Sequence, residues 1–379
     1  MIDLHGNRWG ETYTYRRVDW GTWMEGADLG SVTDGSVELS AFTDLKATCS
    51  FTFIGEAPEQ DSLIRIYYSF TDDDGEQAEF CLGTFIVVYA DVTYTANYEL
   101  GECTGLVAKG SADGCSMLKV PSDRVYGMPF TVTAGTNPVA KAAELVRGLG
   151  VNVEVGGDVR YVLENDHTFE PDDSYLTIAN WCLAAAGFSA LTVDAYGTLH
   201  ADPYVAPEDR PLAASFANDD DSIMYPEVSV ENDWQSTPNV VRAYYEDEAC
   251  ALCAVSKNLS GSLASLANRG GRELTRYESV AELEGGTTSE KLASLEAIAE
   301  RVLTDNSSDI ERVTLSHPYI PLNPSDPVRI DYADRTWQGS VQNIGIALVP
   351  STKCDTQTRR ISTSSMQVET TGEIVWEVT

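Results

Sequence analysis

Histidine is scarce in this chain of 379 residues, which has only His5, His167, His200 and His317. No two of them stand at metal-ligand spacing, and no HExxH occurs, so the common zinc-hydrolase arrangement is excluded. GxSxG, Walker and GxGxxG signatures are missing as well. Basic residues are few: 25 Lys and Arg face 59 Asp and Glu, a formal net charge of -34. Phosphate binding needs clustered cations, so a chain this acidic repels DNA and anionic membranes. No run of about 18 apolar residues is present to cross a bilayer as a helix. The opening stretch Met1–Gly10 has no basic segment followed by an apolar one, so no secretory signal is expected. The eight cysteines, at 49, 81, 103, 115, 182, 250, 253 and 354, form no framework and read as small buried apolar residues.

What is present is mostly strand. Ser36–Leu39, Thr48–Ile54, Leu63–Phe70, Phe80–Val88 and Val92–Leu100 are rich in β-branched and aromatic residues. Turn clusters such as Thr33-Asp34-Gly35 and Asp72-Asp73-Asp74-Gly75 separate them, a spacing that predicts a barrel or sandwich. Near residue 106 the pattern changes. Asn137 or Thr136 caps a predicted helix with Pro138 at its first position and Gly148 or Gly150 at its end. A second helix follows Asp173-Ser174 and stops at Gly187, and Asp194-Ala195-Tyr196-Gly197 makes a hairpin turn. Strands return at Glu227–Val230 and Asn239–Tyr245. One more helix spans 288–303, with Thr287 and Glu290 at capping-box spacing and an apolar stripe that reads as core packing. The last seventy residues are strands again.

The two β-rich ends resemble each other. Asp61–Tyr68 matches Asp326–Tyr332, and each is followed by a strand opening on glycine, at Gly83 and Gly339. The match describes a duplicated barrel with an α/β module inserted after the first copy. The predicted fold is mainly β with an α/β insert: two related β-barrels plus a mixed module. Its boundaries are 1–105 for the first barrel, completed by about 213–230; 106–212 for the insert; and 231–379 for the second barrel with its flanking helix.

Chemical constellations are few. Cys250-Ala251-Leu252-Cys253 is a CxxC, but it lies in strand and loop with no second ligand pair, so two buried thiols are expected. Ser116-Met117-Leu118-Lys119 fits SxxK without the SDN or KTG partners that acyl enzymes require. Asp72-Asp73-Asp74-Gly75 packs its acids too tightly for an EF-hand and reads, like Asp219-Asp220-Asp221, as a solvated turn. The histidines are expected in surface or capping roles. Trp9, Trp20, Trp23, Trp234 and Trp337 offer a sugar-stacking surface or, more simply, core and interface anchors. No catalytic, cofactor-binding or metal residue is assigned, no cofactor is expected, and no enzyme is predicted.

Several stretches carry a resemblance to the baseplate hub and tail-tip proteins of tailed phages. Gly35-Ser36-Val37-Glu38-Leu39-Ser40 and Leu82-Gly83-Thr84-Phe85-Ile86-Val87 match the barrel preceding that family's insert. Phe130–Thr136, Ser174–Phe188, Asp194-Ala195-Tyr196-Gly197 and Asp202-Pro203-Tyr204 match the insert. Pro238-Asn239-Val240-Val241, Arg269-Gly270-Gly271-Arg272 and Leu322–Val328 follow in order. The resemblance implies a homotrimer whose six barrels form a pseudo-sixfold ring, with the tail tube or distal tail protein on one side and a spike or tip protein on the other. DNA would pass through without specific binding, and acidic residues in the lumen would keep it from adhering. It places the protein in a virion tail assembled in the bacterial cytoplasm, with no wall-degrading domain attached. The alternatives are a host-surface or carbohydrate-binding tail protein and a cell-wall hydrolase.

Overall fold

The computed structural model describes residues 4, 8–72, 74–99, 102–157, 162–163, 165–218, 224–232, 237–247, 249–280, 283, 287–307, 311–361 and 366–377. Six strands come first: β1 (Trp9–Val18), β2 (Glu25–Ser40), β3 (Ala47–Gly55), β4 (Leu63–Thr71), β5 (Gln77–Glu99) and β6 (Glu102–Ser116). They close on themselves in the order β1-β4-β5-β6-β3-β2, with β2 returning to β1, and every pair is antiparallel. Alternation sets the two faces. In β3, Ala47, Cys49, Phe51 and Phe53 point inward while Thr48, Ser50, Thr52 and Ile54 face out. The interior is filled by Tyr15, Phe51, Phe53, Ile64, Ile66, Tyr68, Phe70 and Phe85, all buried. Room for the Phe85 ring depends on Gly83, where an added Cβ would lie 2.5 Å from the ring. This ring therefore runs to Ser116, beyond the expected limit at 105. Its closing strand β1, unforeseen in the sequence, does the work expected of 213–230.

The inserted module holds α1 (Lys119–Asp123), β7 (Phe130–Val132), α2 (Pro138–Arg147), β8 (Val153–Val155), β9 (His167–Phe169), α3 (Tyr175–Ala185), β10 (Thr192–Val193) and β11 (Leu199–Ala201). Asn137 accepts the Ala140 amide at 3.0 Å and Ser174 the Thr177 amide at 3.1 Å, so both helices start where capping chemistry places them. Val139, Ala142, Ala143 and Val146 of α2 share one core with Leu176, Ala179, Cys182 and Leu183 of α3. Val18, Leu63 and Ile86 of the first ring enter that same core, so the module is packed onto the barrel wall.

The remaining elements are β12 (Ala214–Ala217), β13 (Val228–Asn232), β14 (Val240–Glu246), β15 (Cys250–Ser260), β16 (Thr275–Ser279), α4 (Thr288–Ser307), β17 (Glu311–His317), β18 (Pro327–Tyr332), β19 (Arg335–Ala347), β20 (Cys354–Arg360) and β21 (Gln367–Glu377). A second barrel-like array runs β13-β17-β20-β19-β18-β12. Thus 214–217 and 228–232 pair with β18 and β17 and not with the first ring. The segment 231–379 also holds more than a barrel. Strands β16-β14-β15-β21 form a separate sheet, and α4 lies over one of its faces, with Leu295, Ala299 and Leu303 against Val241, Ala243, Leu252 and Ala254. The capping box forms: Thr287 N donates to Glu290 Oε2 at 3.0 Å and Glu290 N to Thr287 Oγ1 at 3.3 Å.

The duplication is legible strand by strand. The order β4-β5-β6-β3-β2 recurs as β18-β19-β20-β17-β13, and the strands follow one another along the chain in the same order. Both copies bulge at one place, between Val87 and Tyr89 in β5 and between Val341 and Asn343 in β19. Before each β4-type strand stands a residue with left-handed φ, Asp61 at 58° and Ser325 at 74°. Asp61 N donates to Val87 O at 2.8 Å and Val87 N to Ser62 O at 3.0 Å. Ser325 N donates to Val341 O at 2.7 Å and Val341 N to Asp326 O at 2.8 Å. Arg65 and Arg329 correspond, as the sequence match has them. Gly339, however, takes the place of Phe85, two residues past Gly83. The ladders also superpose Ser36-Val37-Glu38 on Ser229-Val230-Glu231, an identical tripeptide.

Candidate assembly surfaces

The residues singled out for chemistry do not converge. His167 stacks on Trp181 with ring centres 4.0 Å apart. His200 lies 3.3 Å from Asp194, whose carboxylate also accepts the Thr198 amide at 2.8 Å, so both groups serve the 194–197 turn. His317 departs from its expected surface role. It is fully buried in β17, and burial pushes its imidazole down to about 4. Its Nε2 is 2.8 Å from Thr356 Oγ1 and its Nδ1 2.6 Å from Pro318 O. His5, Trp234 and 219–221 lie outside the described residues. Ser116 donates to Leu45 O while Lys119 pairs with Asp123, so the SxxK residues do not meet. Asp72 accepts the Asp74 and Glu76 amides at 3.1 and 2.8 Å and so closes its own turn. Cys250 is buried in β15 and Cys253 half-buried. Among the described residues no group of three His, Cys, Asp or Glu is placed to hold a metal.

Arg65 is the joint that motif searching missed. The guanidinium lies almost wholly inside, flanked along its strand by Leu63, Ile64, Ile66 and Tyr67. Its Nη1 is 2.5 Å from Glu25 Oε1, its Nε donates to Thr84 Oγ1 at 3.0 Å, and its Nη2 donates to Tyr196 O at 2.9 Å. Thr84 Oγ1 in turn donates to Ala195 O at 2.9 Å. One buried cation thus fastens the module's hairpin turn to the barrel wall. Burial alone would raise the Glu25 carboxyl, but hydrogen bonds from Tyr67 and Arg65 outweigh it and hold the group below the usual carboxylate range. An arginine in an otherwise apolar stretch of strand, on the face that alternates away from Ile64, Ile66 and Tyr68, was the available signal. Beside this joint, a cleft of about 850 Å³ opens between β5, the turn 194–196 and the segment 319–325.

The two barrels are joined edge to edge. β2 pairs with β19 through Ser36↔Ala347, Val37↔Ile346, Glu38↔Gly345, Leu39↔Ile344 and Ser40↔Asn343. Behind this ladder Tyr13 stacks on Tyr68 at 5.2 Å, and Tyr68 meets Tyr319 edge-on at 5.4 Å. Arg8 Nη2 donates to Tyr319 O at 2.6 Å, and Tyr13 OH donates to Ala347 O at 3.2 Å. Residues of both arrays belong to one core. Twelve strands consequently behave as one continuous sheet with packed interiors, and no polymer could thread either barrel of a single copy.

Among the described residues several edges stay open. There β13 has a partner on one side only, as do β16 and β21. On β5, the β4 ladder ends at Ile86, so from residue 88 onward one side of the strand is unpaired while β6 covers the other. Along this stretch Tyr89 and Tyr94 are exposed, as is Leu106 across from it on β6.

No protein-family profile matches the chain, and no curated protein matches it in sequence. Solved structures do match in fold. A tail protein from Neisseria meningitidis MC58 aligns with TM-score 0.63 and 14% identity, over 93% of this chain and 97% of its own. The 43 kDa tail protein of prophage MuSo2 from Shewanella oneidensis aligns with TM-score 0.62 and 12% identity, over 92% and 98%. A prophage tail protein from Listeria monocytogenes EGD-e gives TM-score 0.51 and 14% identity, over 93% and 95%. The chain shares the fold of these tail proteins along nearly its whole length.

Proposed function

We propose that the chain is a structural subunit of a phage or prophage tail tip, a baseplate hub that joins the tail tube to a spike or tip protein. The observation that carries this reading is the duplicated barrel fused through β2 and β19. Two like units in one chain let three copies present six, which suits a part standing between a sixfold tube and a threefold tip. The barrels are filled by their own side chains, so a passage for DNA would lie between copies and not within one. The formal charge of -34 per copy suits a lumen that DNA must cross without adhering. The shared fold with three tail proteins supports the same reading. The protein acts by assembly in the virion tail, takes no cofactor and catalyses no reaction. Light scattering across a concentration range, followed by electron microscopy of any multimer, tests this. A ring of three copies with an open bore is expected; a closed twofold dimer would overturn it.

A second reading, a carbohydrate-binding tail protein, draws on one feature. Tyr244 and Tyr277 stack at 6.1 Å with planes 11° apart on the sheet face away from α4, and both are exposed. Glycan-array binding abolished by Tyr277→Ala would favour it.

A further inference from the structure

Among the described residues, β13 and the part of β5 beyond residue 88 each leave one edge unpaired. We infer that β13 of one copy pairs antiparallel with residues 90–93 of β5 in the next copy, repeating between chains the β2–β19 ladder found within one chain. This rests on the ring reading above and adds to it which strands meet and in what register.

The repeat relation supplies the register. β2 corresponds to β13 and β5 to β19, with Val37 on Val230, Tyr89 on Asn343, Ala90 on Ile344 and Val92 on Ile346. Within the chain Val37 faces Ile346 and Leu39 faces Ile344. Between chains Val230 would face Val92, Asn232 would face Ala90, and Ser229 would face Thr93. The backbone polarity agrees. Leu348 N donates to Gly35 O at 2.9 Å and Ala41 N to Gln342 O at 2.8 Å, so odd-numbered residues of β2 bond across the barrel junction. Their counterparts on β13 are Val228, Val230 and Asn232. Tyr225 N donates to Ser316 O at 2.9 Å, which puts the other set, Ser229 and Glu231, toward β17. The amide and carbonyl of Val230 therefore point at the open edge.

Burial differs between the formed junction and the open one in the way this pairing requires. Val37, Ile344 and Ile346 are 0%, 2% and 3% exposed at the formed junction. Their counterparts Val230, Ala90 and Val92 are only partly buried against the same core. A neighbouring strand on each edge would cover them and satisfy the unpaired backbone groups. A second copy is thus the occupant that fits, because its free edge already carries the matching register.

Two variants test the ladder. Val230→Pro removes an amide that faces the open edge and none that serves β17, a substitution edge strands tolerate. Ser229→Cys with Thr93→Cys places two thiols at directly opposed positions, so mild oxidation should link copies in a non-reducing gel. We expect wild type to be multimeric by light scattering, Val230→Pro to fall to 41.2 kDa at the same concentration, and the double-cysteine variant to form covalent multimers that neither single variant forms. A wild-type multimer that survives Val230→Pro and yields no covalent link overturns the ladder and leaves the ring reading standing. A strictly monomeric wild type, with no link at any concentration, overturns both. If Val230→Pro fails to fold, the cysteine pair decides alone.

Discussion

The two barrels share one strand plan, yet they are closed differently. In the first, β1 closes the ring, and the interior is almost entirely aromatic and aliphatic. In the second, β12 and β13 share no ladder among the described residues, and polar groups occupy the equivalent interior sites. His317 stands where the first copy has Phe53, Thr356 where it has Ala112, and Thr358 where it has Gly114. A ring that closes on itself is free to maximise apolar burial. An array with an open edge keeps an accessible strand and a hydrogen-bonded interior that fixes β17 against β20. The duplication therefore yields one closed wall, onto which the inserted module is fastened, and one array whose β13 edge is unpaired among the described residues.

The largest expected effects follow from breaking the closed member. Phe51→Ala empties a fully buried site in the first ring and should cost about 3–5 kcal/mol; Leu315→Ala, the equivalent site in the second array, about 2–5 kcal/mol. Urea unfolding at neutral pH measures both, and a smaller loss for Phe51→Ala than for Leu315→Ala would contradict the ranking. Arg65→Met should cost less, about 1–3 kcal/mol, because Tyr196 O and Thr84 Oγ1 lose a buried donor while Glu25 keeps Tyr67 and Arg16. Unlike the core variants, it should also speed proteolysis of the 194–197 turn.

Next in size is a difference in acid response. His317 has its folded imidazole lowered to about 4, chiefly by burial, against about 6.5 when unfolded. Between those values the unfolded chain binds the extra proton, so stability is complete above pH 6.5 and falls as pH drops toward 4, by roughly 3 kcal/mol in all. Phe53, its counterpart, has no proton to take. His317→Phe should flatten the decline between pH 7 and 5, at a neutral-pH cost of about 1–2 kcal/mol for the unpartnered Thr356 hydroxyl and Pro318 carbonyl. An unchanged slope over that window would show that the acid response arises elsewhere. Glu25, held low, loses its contribution only below about 4.5 and so stays outside it.

The same contrast explains what could be read from the sequence. The strand-rich ends, the inserted helices with their caps at Asn137 and Ser174, and the capping box at Thr287 and Glu290 all announce themselves locally, by alternation and side-chain chemistry. Closure does not. β1 carries Arg16 and Arg17 beside Tyr13 and Tyr15, so its pattern reads as polar until Glu25, Asp28 and Glu79 are seen to take up Arg16. β6 escaped because its alternating positions are filled by Ala108, Gly110, Ala112 and Gly114, residues too small to mark a strand. Small residues are needed there because Phe85 and Cys49 press against Gly114. The sheet of β14, β15, β16 and β21 joins segments more than a hundred residues apart, and no local pattern marks such pairing. Arg65 was visible as a cation in an apolar strand, but its partners come from β2 and the insert.

The finest test of the equivalence lies at the two left-handed residues, Asp61 and Ser325. Each stands before a β4-type strand and makes the same pair of backbone hydrogen bonds around a bulge. A side chain in this conformation costs about 1 kcal/mol, which glycine avoids while adding some freedom to the unfolded chain. Asp61→Gly and Ser325→Gly should therefore each stabilise by a few tenths of a kcal/mol, up to about 1 kcal/mol. Aspartate tolerates the left-handed region better than serine, so Ser325→Gly should gain more. The backbone carbonyls that accept Trp20 Nε1 at residue 61 and Arg210 Nη1 at residue 325 are kept in both variants, so tertiary contacts do not confound the comparison. A gain at one site and a clear loss at the other would mean that the two turns, alike in hydrogen bonding, are held by different surroundings.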